Sequence, residues 1–261
     1  MRLTALAVLG LVLAPGARAE TAPPCAAELA RLEKDVAAAP DDIFLGADYR
    51  QAVIRCEAGD RATRFFDRLT ERHPEASSAW LNAGLAYVDR IPPAGDIRQA
   101  RLGKAAAERL GRSAALRPSW LAHHVRGFVY LFYPRIFRVG RKAVADLESA
   151  QRLLAQESLR PCQARTYAAL GDAWYWRFDD LARAQRIWAE GLALFPGDRE
   201  LRDRVTLEGM ARRDVIRRSL DADTRIDTSL RELREPPRGP SPALAGPDAP
   251  PAELSQPGVP R

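Results

Sequence analysis

The residues that most often carry chemistry are sparse in this chain of 261 residues: three cysteines (Cys25, Cys56, Cys162) and three histidines (His73, His123, His124). His123 and His124 are adjacent, and neighbours on a helix point about 100° apart, so they cannot form the i, i+4 clamp that a metal site favours. His73 lies far away in sequence. No C-x-x-C, G-x-S-x-G, glycine-rich phosphate loop or H-E-x-x-H is present. Thiol exchange, acyl transfer, phosphate cradling and zinc-dependent proteolysis therefore have no candidate set, and no enzyme, metal or cofactor is implied. What remains is adhesive chemistry. The stretch WYWRFDDLARAQRIWAEGLALFPGD, residues 174–198, holds three of the five tryptophans beside Tyr175, Phe178 and an acid pair. Such a cluster is either a helix-packing core or an aromatic binding surface, and the surrounding elements must decide which.

The ends of the chain differ from its middle. Met1-Arg2 precedes an apolar run, Leu3 to Ala14, then Pro15-Gly16 and Ala17-Arg18-Ala19. A charged start, a short apolar stretch and an A-x-A box have the form of a secretory signal peptide cleaved after Ala19, which makes a periplasmic or secreted protein the expectation. The first cysteine follows TAPP rather than a lipoprotein-like small-residue box, and no later stretch approaches the roughly 18 apolar residues of a membrane helix. Removing residues 1–19 takes away Arg2 and Arg18, so the formal charge falls from +6 to +4. The basic residues are thirty-seven arginines against three lysines (Lys34, Lys104, Lys142), an enrichment of the kind that genome base composition produces, and acids are interleaved throughout, so nucleic acid is not an expected partner. Residues 235–261 are dense in Pro, Gly, Ala and Ser and contain no aromatic residue, so they cannot bury enough apolar surface to offset chain entropy. They are expected to form a disordered tail.

Between these ends the periodicity is helical almost everywhere and the breaks fall at Pro and Gly clusters, which predicts an all-α chain. A small residue followed four positions later by a large apolar one recurs: Ala62 and Phe66, Ala106 and Leu110, Ala143 and Leu147, Ala184 and Trp188. A proline stands twelve residues after the alanine in three of these four, at Pro74, Pro118 and Pro196, and the third unit has Ala155 there. The preceding helices carry their own pattern. Trp80, Gly84 and Tyr87 share one helical face, and HVRGFVY (His124, Gly127, Tyr130) and YAALGDAW (Tyr167, Gly171, Trp174) repeat the glycine and the second aromatic.

This pattern resembles the tetratricopeptide repeat (TPR), a helix-turn-helix unit of about 34 residues with W-x2-L-G-x2-Y, A-x3-F and P. The resemblance covers Ile43 to Pro196 as four degenerate repeats. It departs between the helices of a pair, where Gly84 to Ala106, Gly127 to Ala143 and Gly171 to Ala184 are longer by ten, four and one residues, and in the first pair, where Arg50 replaces the glycine. It implies a right-handed solenoid of antiparallel helix pairs. The expected organisation is a signal peptide (1–19), an N-terminal helix (20–42), repeats (43–196), a C-terminal capping region (197–234) and the tail (235–261). Within the capping region one helix is expected over Arg199 to Leu220, with its apolar stripe interrupted by Glu208 and Arg212.

The resemblance also implies a concave face lined by the first helix of each pair. Carried onto this sequence, its contact stripe gives Leu81, Leu85 and Val88; His124, Phe128, Leu131 and Phe132; Asp172, Tyr175 and Trp176. The stripe lacks the Lys, Arg and Asn with which carboxylate-clamping TPRs hold a peptide terminus. Trp174 and Trp188 fall at packing positions and Asp179-Asp180 at a turn, leaving Tyr175-Trp176 beside Asp172 as the first place to look for a ligand. The function expected is binding of a protein or peptide partner through an apolar, aromatic groove. The alternative is a small apolar ligand held by a solute-binding accessory, since exported TPR proteins associated with tripartite transporters are similar in plan. Two further outcomes stay open: the last helices fold back to fill the groove, or two copies of the chain associate through it. The loop FYPRIFRVGRK (132–142) sets basic residues beside aromatics, which suits an acidic partner or a phospholipid surface as well as a loop packed by its own aromatics. Finally, Cys25 opens the first helix and Cys56 closes the second, so a hairpin turning at residues 38–42 predicts a Cys25–Cys56 disulfide with Cys162 free.

Overall fold

The computed structural model describes residues 23–133, 135–156, 158–221 and 227–234. The expected signal peptide and the Pro-rich tail lie outside the described residues. Every regular element among those described is helical: α1 (Pro23–Ala38), α2 (Ile43–Arg55), α3 (Arg61–Arg72), α4 (Ser77–Val88), α5 (Asp96–Leu116), α6 (Trp120–Phe132), α7 (Gly140–Leu154), α8 (Ala164–Phe178), α9 (Leu181–Leu194), α10 (Arg199–Thr206), α11 (Gly209–Ser219) and a last turn, α12 (Arg231–Arg234). The starts of α2, α6, α9 and α10 carry side-chain caps that satisfy free N–H groups of the first turn. Asp42 accepts from the amides of Phe44 and Leu45 at 2.8 and 3.0 Å, Asp180 from that of Arg183 at 2.9 Å and Asp198 from that of Leu201 at 2.8 Å. In the Asp179-Asp180 turn the two acids divide the work: Asp179 closes α8 in the left-handed conformation (φ 55°) while Asp180 caps α9. Asp60 occupies the equivalent position before α3, yet its carboxylate pairs with Arg64 instead of capping.

Helices pack mainly against their chain neighbours, with α2 also touching α4 and α6 touching α8, so the first helices of successive pairs line up. The four repeat residues Phe66, Leu110, Leu147 and Trp188 are each fully buried. Three of them sit over the glycine of the partner helix. A Cβ added at Gly84 would stand 2.6 Å from Leu110 Cγ, one at Gly127 2.8 Å from Leu147 Cγ, and one at Gly171 2.1 Å from Trp188 Nε1. No side chain fits in those spaces, so glycine fixes how closely the paired helices approach. The apolar core is accordingly a chain of clusters that follow one another along the solenoid. The insertions between paired helices are absorbed in two ways: the ten-residue one mainly as extra turns of a 21-residue α5, the four-residue one as a single 3-10 turn, Arg135–Phe137.

The C-terminal region departs from the expected single helix. Leu207 is extended (φ −76°, ψ 153°) and Gly209 has a positive φ of 50°, which breaks the chain between α10 and α11. In an unbroken helix residues 204 and 219 would lie roughly 22 Å apart along the axis. Here Arg204 donates to Ser219 Oγ at 2.9 Å, because α11 folds back on α10. Glu208, one of the two residues that interrupt the apolar stripe, sits at this break, and the other, Arg212, is buried with its guanidinium 5.9 Å from the Trp188 ring. After residues 222–226, which are not described, the chain at 227–234 crosses to α2. There Arg234 donates to Asp48 at 2.6 Å and to the Phe44 carbonyl at 3.1 Å.

Cys25 and Cys56 are joined, with their Cα atoms 5.9 Å apart, and Cys162 is a free, half-buried thiol whose pKa burial pushes up to about 11. The bridge closes a loop over a sequence separation of 31 and ties α1 to the end of α2. From loop entropy, its reduction should lower unfolding stability by about 2–4 kcal/mol in a urea titration. Trp188→Ala empties a fully buried site and should cost about 3–5 kcal/mol by the same measurement.

Candidate partner groove

The concave side of α6 carries an aromatic ladder at four-residue spacing. Trp120 meets His124 at 5.7 Å between ring centroids, His124 stacks on Phe128 at 6.0 Å, and Phe128 meets Phe132 edge-on at 5.0 Å. With Leu85 and Val88 of α4 and Ala168 and Ala169 of α8, these rings line a cavity of about 380 Å³. That is the size range of small-molecule pockets. His124, Phe128 and Phe132 were legible from the repeat. Trp120 was not, although its position one helical turn before His124 is the signal that would have found it.

His124 is held inside this cavity as a neutral ring. Burial, reinforced by the Arg165 charge, pulls its pKa down to about 4, and its Nδ1 lies 3.2 Å from Thr166 Oγ1. Its neighbour His123 points elsewhere, as the 100° rule requires, and meets Asp146 at 2.9 Å beside Arg126. No group of three or more metal-ligating residues occurs among the described residues.

The far wall of the cavity is a saturated ion pair. Arg204 of α10 donates from Nε and Nη2 to the two carboxylate oxygens of Asp172 at 2.8 and 2.7 Å, and Ser219 of α11 donates to the same carboxylate at 3.2 Å. Asp172 is 1% exposed. Asp172, expected in the contact stripe, does line the cavity, but its charge is spent on docking α10 and α11 against α8. Leu81 is likewise core, 4% exposed, whereas Leu85 does reach the cavity.

Tyr175 and Trp176, one turn farther along α8, face away from this cavity. Tyr175 packs on Trp188 at 6.0 Å, and Trp176 lies between the guanidinium groups of Arg135 at 6.0 Å and Arg213 at 5.8 Å. They border a second concavity of about 880 Å³ whose wall includes Arg135, Arg177, Arg213, Arg217 and Arg218. The expected continuous stripe is thus two surfaces, because the helical twist carries α8 residues past 172 out of the groove. Trp174, expected as core, is only half-buried, with the Arg183 guanidinium 3.6 Å from its ring.

The roof of the first cavity is the chain's own C-terminal segment. Leu230 and Leu233 pack into the cluster of Leu81, Leu85 and Val88. The segment is held at one end by Arg50, which is fully buried and donates to Asn82 Oδ1 at 3.0 Å, Asp89 Oδ2 at 2.8 Å and the Thr228 carbonyl at 2.7 Å. Thr228 in turn donates its hydroxyl to Asp89. Arg50 stands where the repeat has glycine, and that departure was the only trace of this anchor in the sequence.

Breaking the buried pair from one side leaves an uncompensated charge, so Asp172→Leu should cost about 3–5 kcal/mol in unfolding stability and Asp172→Leu with Arg204→Met much less. For His124 the folded pKa of about 4 lies below the ordinary 6.5, so the unfolded chain binds the proton first as pH falls. Its stabilisation is present above pH 6.5 and is lost between 6.5 and 4. His124→Gln should therefore remove about 1–2 kcal/mol of the stability difference between pH 7 and pH 5.

No protein-family model and no curated protein matches the sequence. Among solved structures the chain is similar to TTC0263, a thermophilic TPR protein of Thermus thermophilus, at a TM-score of 0.50 and 23% identity, over 69% of this chain and 88% of that one. The hetero-tetramer Cut9-Hcn1 of the APC/C matches at a TM-score of 0.34 and 16% identity, over 74% of this chain and 46% of that one, too distant to carry an argument. Taken with the glycine-to-large-residue packing of three successive helix pairs, the first likeness identifies the fold: this chain is a TPR-type solenoid.

Proposed function

We propose that the protein is an exported, non-catalytic repeat scaffold that binds an extended segment of a protein partner along the concave face of α4, α6 and α8. One observation carries the reading: residues 227–234 of the same chain already lie there as a peptide would. They place Leu230 and Leu233 against apolar groove residues and present the Thr228 carbonyl to Arg50. This internal occupant describes the ligand chemistry the face accepts, namely two aliphatic side chains three residues apart with a main-chain carbonyl offered to arginine. A partner segment of that kind either displaces the strap or lies beside it along the aromatic ladder. Export rests on the charged start, apolar run and A-x-A box of residues 1–19, and the Cys25–Cys56 bridge suits an oxidising compartment.

A second reading has its own support. The roofed cavity of about 380 Å³, lined largely by aliphatic and aromatic side chains, is large enough for a small apolar solute. Native mass spectrometry separates the two, since a retained organic ligand favours the solute.

The peptide reading predicts that Leu230→Ser/Leu233→Ser frees the groove. A fluorescent synthetic peptide of residues 225–236 should then bind this variant at least about ten-fold more tightly than the unaltered protein, because removing a competing internal ligand raises the competent fraction. Phe128→Ala in the same background should abolish the gain. Equal affinity for the unaltered protein and the Leu230/Leu233 variant would remove the groove from the mechanism.

A further inference from the structure

Exposed large apolar side chains are few among the described residues, and most of them gather at one corner. Ile136 is 83% exposed, Phe137 53%, Leu181 39% and Phe178 37%. The first two crown the 3-10 turn between α6 and α7, and the others flank the turn between α8 and α9. These turns touch. A Cβ at Gly140 would stand 3.2 Å from Arg177 Cβ and 3.5 Å from the Phe178 ring, and Arg135 donates to the Trp176 carbonyl and reaches Asp179 at 3.5 Å.

The same corner is net basic, since the cations of residues 135–142 outnumber Asp179 and Asp180 of the turn between α8 and α9. Residues 135–142 read RIFRVGRK, four cations without an acid, and Arg135, Arg138, Arg141 and Lys142 are all exposed. Arg135 also forms part of the arginine-walled concavity, to which α11 brings the exposed Arg213, Arg217 and Arg218. Arg138 takes a positive φ of 51°, which turns the chain sharply into α7 and leaves Ile136 and Phe137 projecting from the crest of the loop.

We propose that this corner docks the protein on an anionic phospholipid surface, with Ile136 and Phe137 entering the boundary between headgroups and acyl chains and the surrounding arginines meeting lipid phosphates. Projecting aliphatic and aromatic residues ringed by cations suit a fluid surface, which needs no shape complementarity and offers both an apolar layer and negative charge. An acidic protein would have to supply a fitted pocket for the projecting Ile136 as well as charge for the arginines, whereas a bilayer accepts the side chain anywhere along its surface. The docking does not depend on what occupies the groove, which opens between α4, α6 and α8 behind this corner.

The test is co-sedimentation of the purified protein with vesicles of phosphatidylcholine alone and with vesicles in which phosphatidylglycerol replaces roughly a third of it. Binding is expected to the second kind only and to weaken as salt rises. Ile136→Ser/Phe137→Ser should reduce it roughly ten-fold or more, and Arg138→Gln/Arg141→Gln should reduce it by roughly five-fold per charge removed. All four positions are exposed, so unchanged thermal unfolding controls for folding. Absence of binding to the phosphatidylglycerol vesicles overturns the proposal, as does binding indifferent to Ile136→Ser/Phe137→Ser. Capture of a polyglutamate peptide without vesicle binding would assign the corner to an acidic protein instead and overturn it equally.

Discussion

The structure depends on one steric constraint, a glycine on the first helix of a pair facing a large residue on the second. Leu110, Leu147 and Trp188 occupy the space that a side chain at Gly84, Gly127 or Gly171 would need. The interior is packed to near-crystalline density, so this contact sets the distance between paired helices and leaves little freedom in how the next pair stacks. The concave face follows from it, since helices held closely on one side of the array must line up on the other.

Where the constraint is released, polar chemistry takes over. Arg50 replaces the glycine in the first pair, and a fully buried guanidinium must be paired to be tolerated. Asn82, Asp89 and the carbonyl of Thr228 meet that requirement, the last from 178 residues away in sequence. At the other end of the groove the Asp172–Arg204 pair does the same for α10 and α11. The apolar groove is therefore bounded by two buried ionic locks, each of which joins the C-terminal region to the repeats. Desolvated pairs of this kind add little net stability, but they are intolerant of misalignment and so specify where the last segments dock.

The division of the aromatic residues into two surfaces has consequences for recognition. Trp120, His124, Phe128 and Phe132 form a ladder because they recur every four residues on one helix. Trp176 stands outside it and is bracketed by cations from two elements distant in sequence, Arg135 and Arg213. The first surface is mainly apolar and carries charges of both signs at its edges, with His124 kept uncharged by burial, and the second is basic. One chain thus presents two faces of different chemistry.

The amino-acid sequence by itself determined the all-helical class, the pairing of helices and the residues between them, because those depend on local periodicity and on short-range steric fit. It also paired Cys25 with Cys56 across a hairpin turning at residues 38–42, while the 5.9 Å Cα separation that lets them bond is set by how α1 packs on α2. Tertiary structure alone decided the rest. The break at Leu207 to Gly209, the burial of Asp172 and the return of residues 227–234 to Arg50 arise from contacts between segments 15 to 178 residues apart. Such contacts leave no periodic trace: an acid on a helix face has the same local pattern whether it meets water, a ligand or an arginine from another helix. Only the path of the chain in space settles which of these it meets.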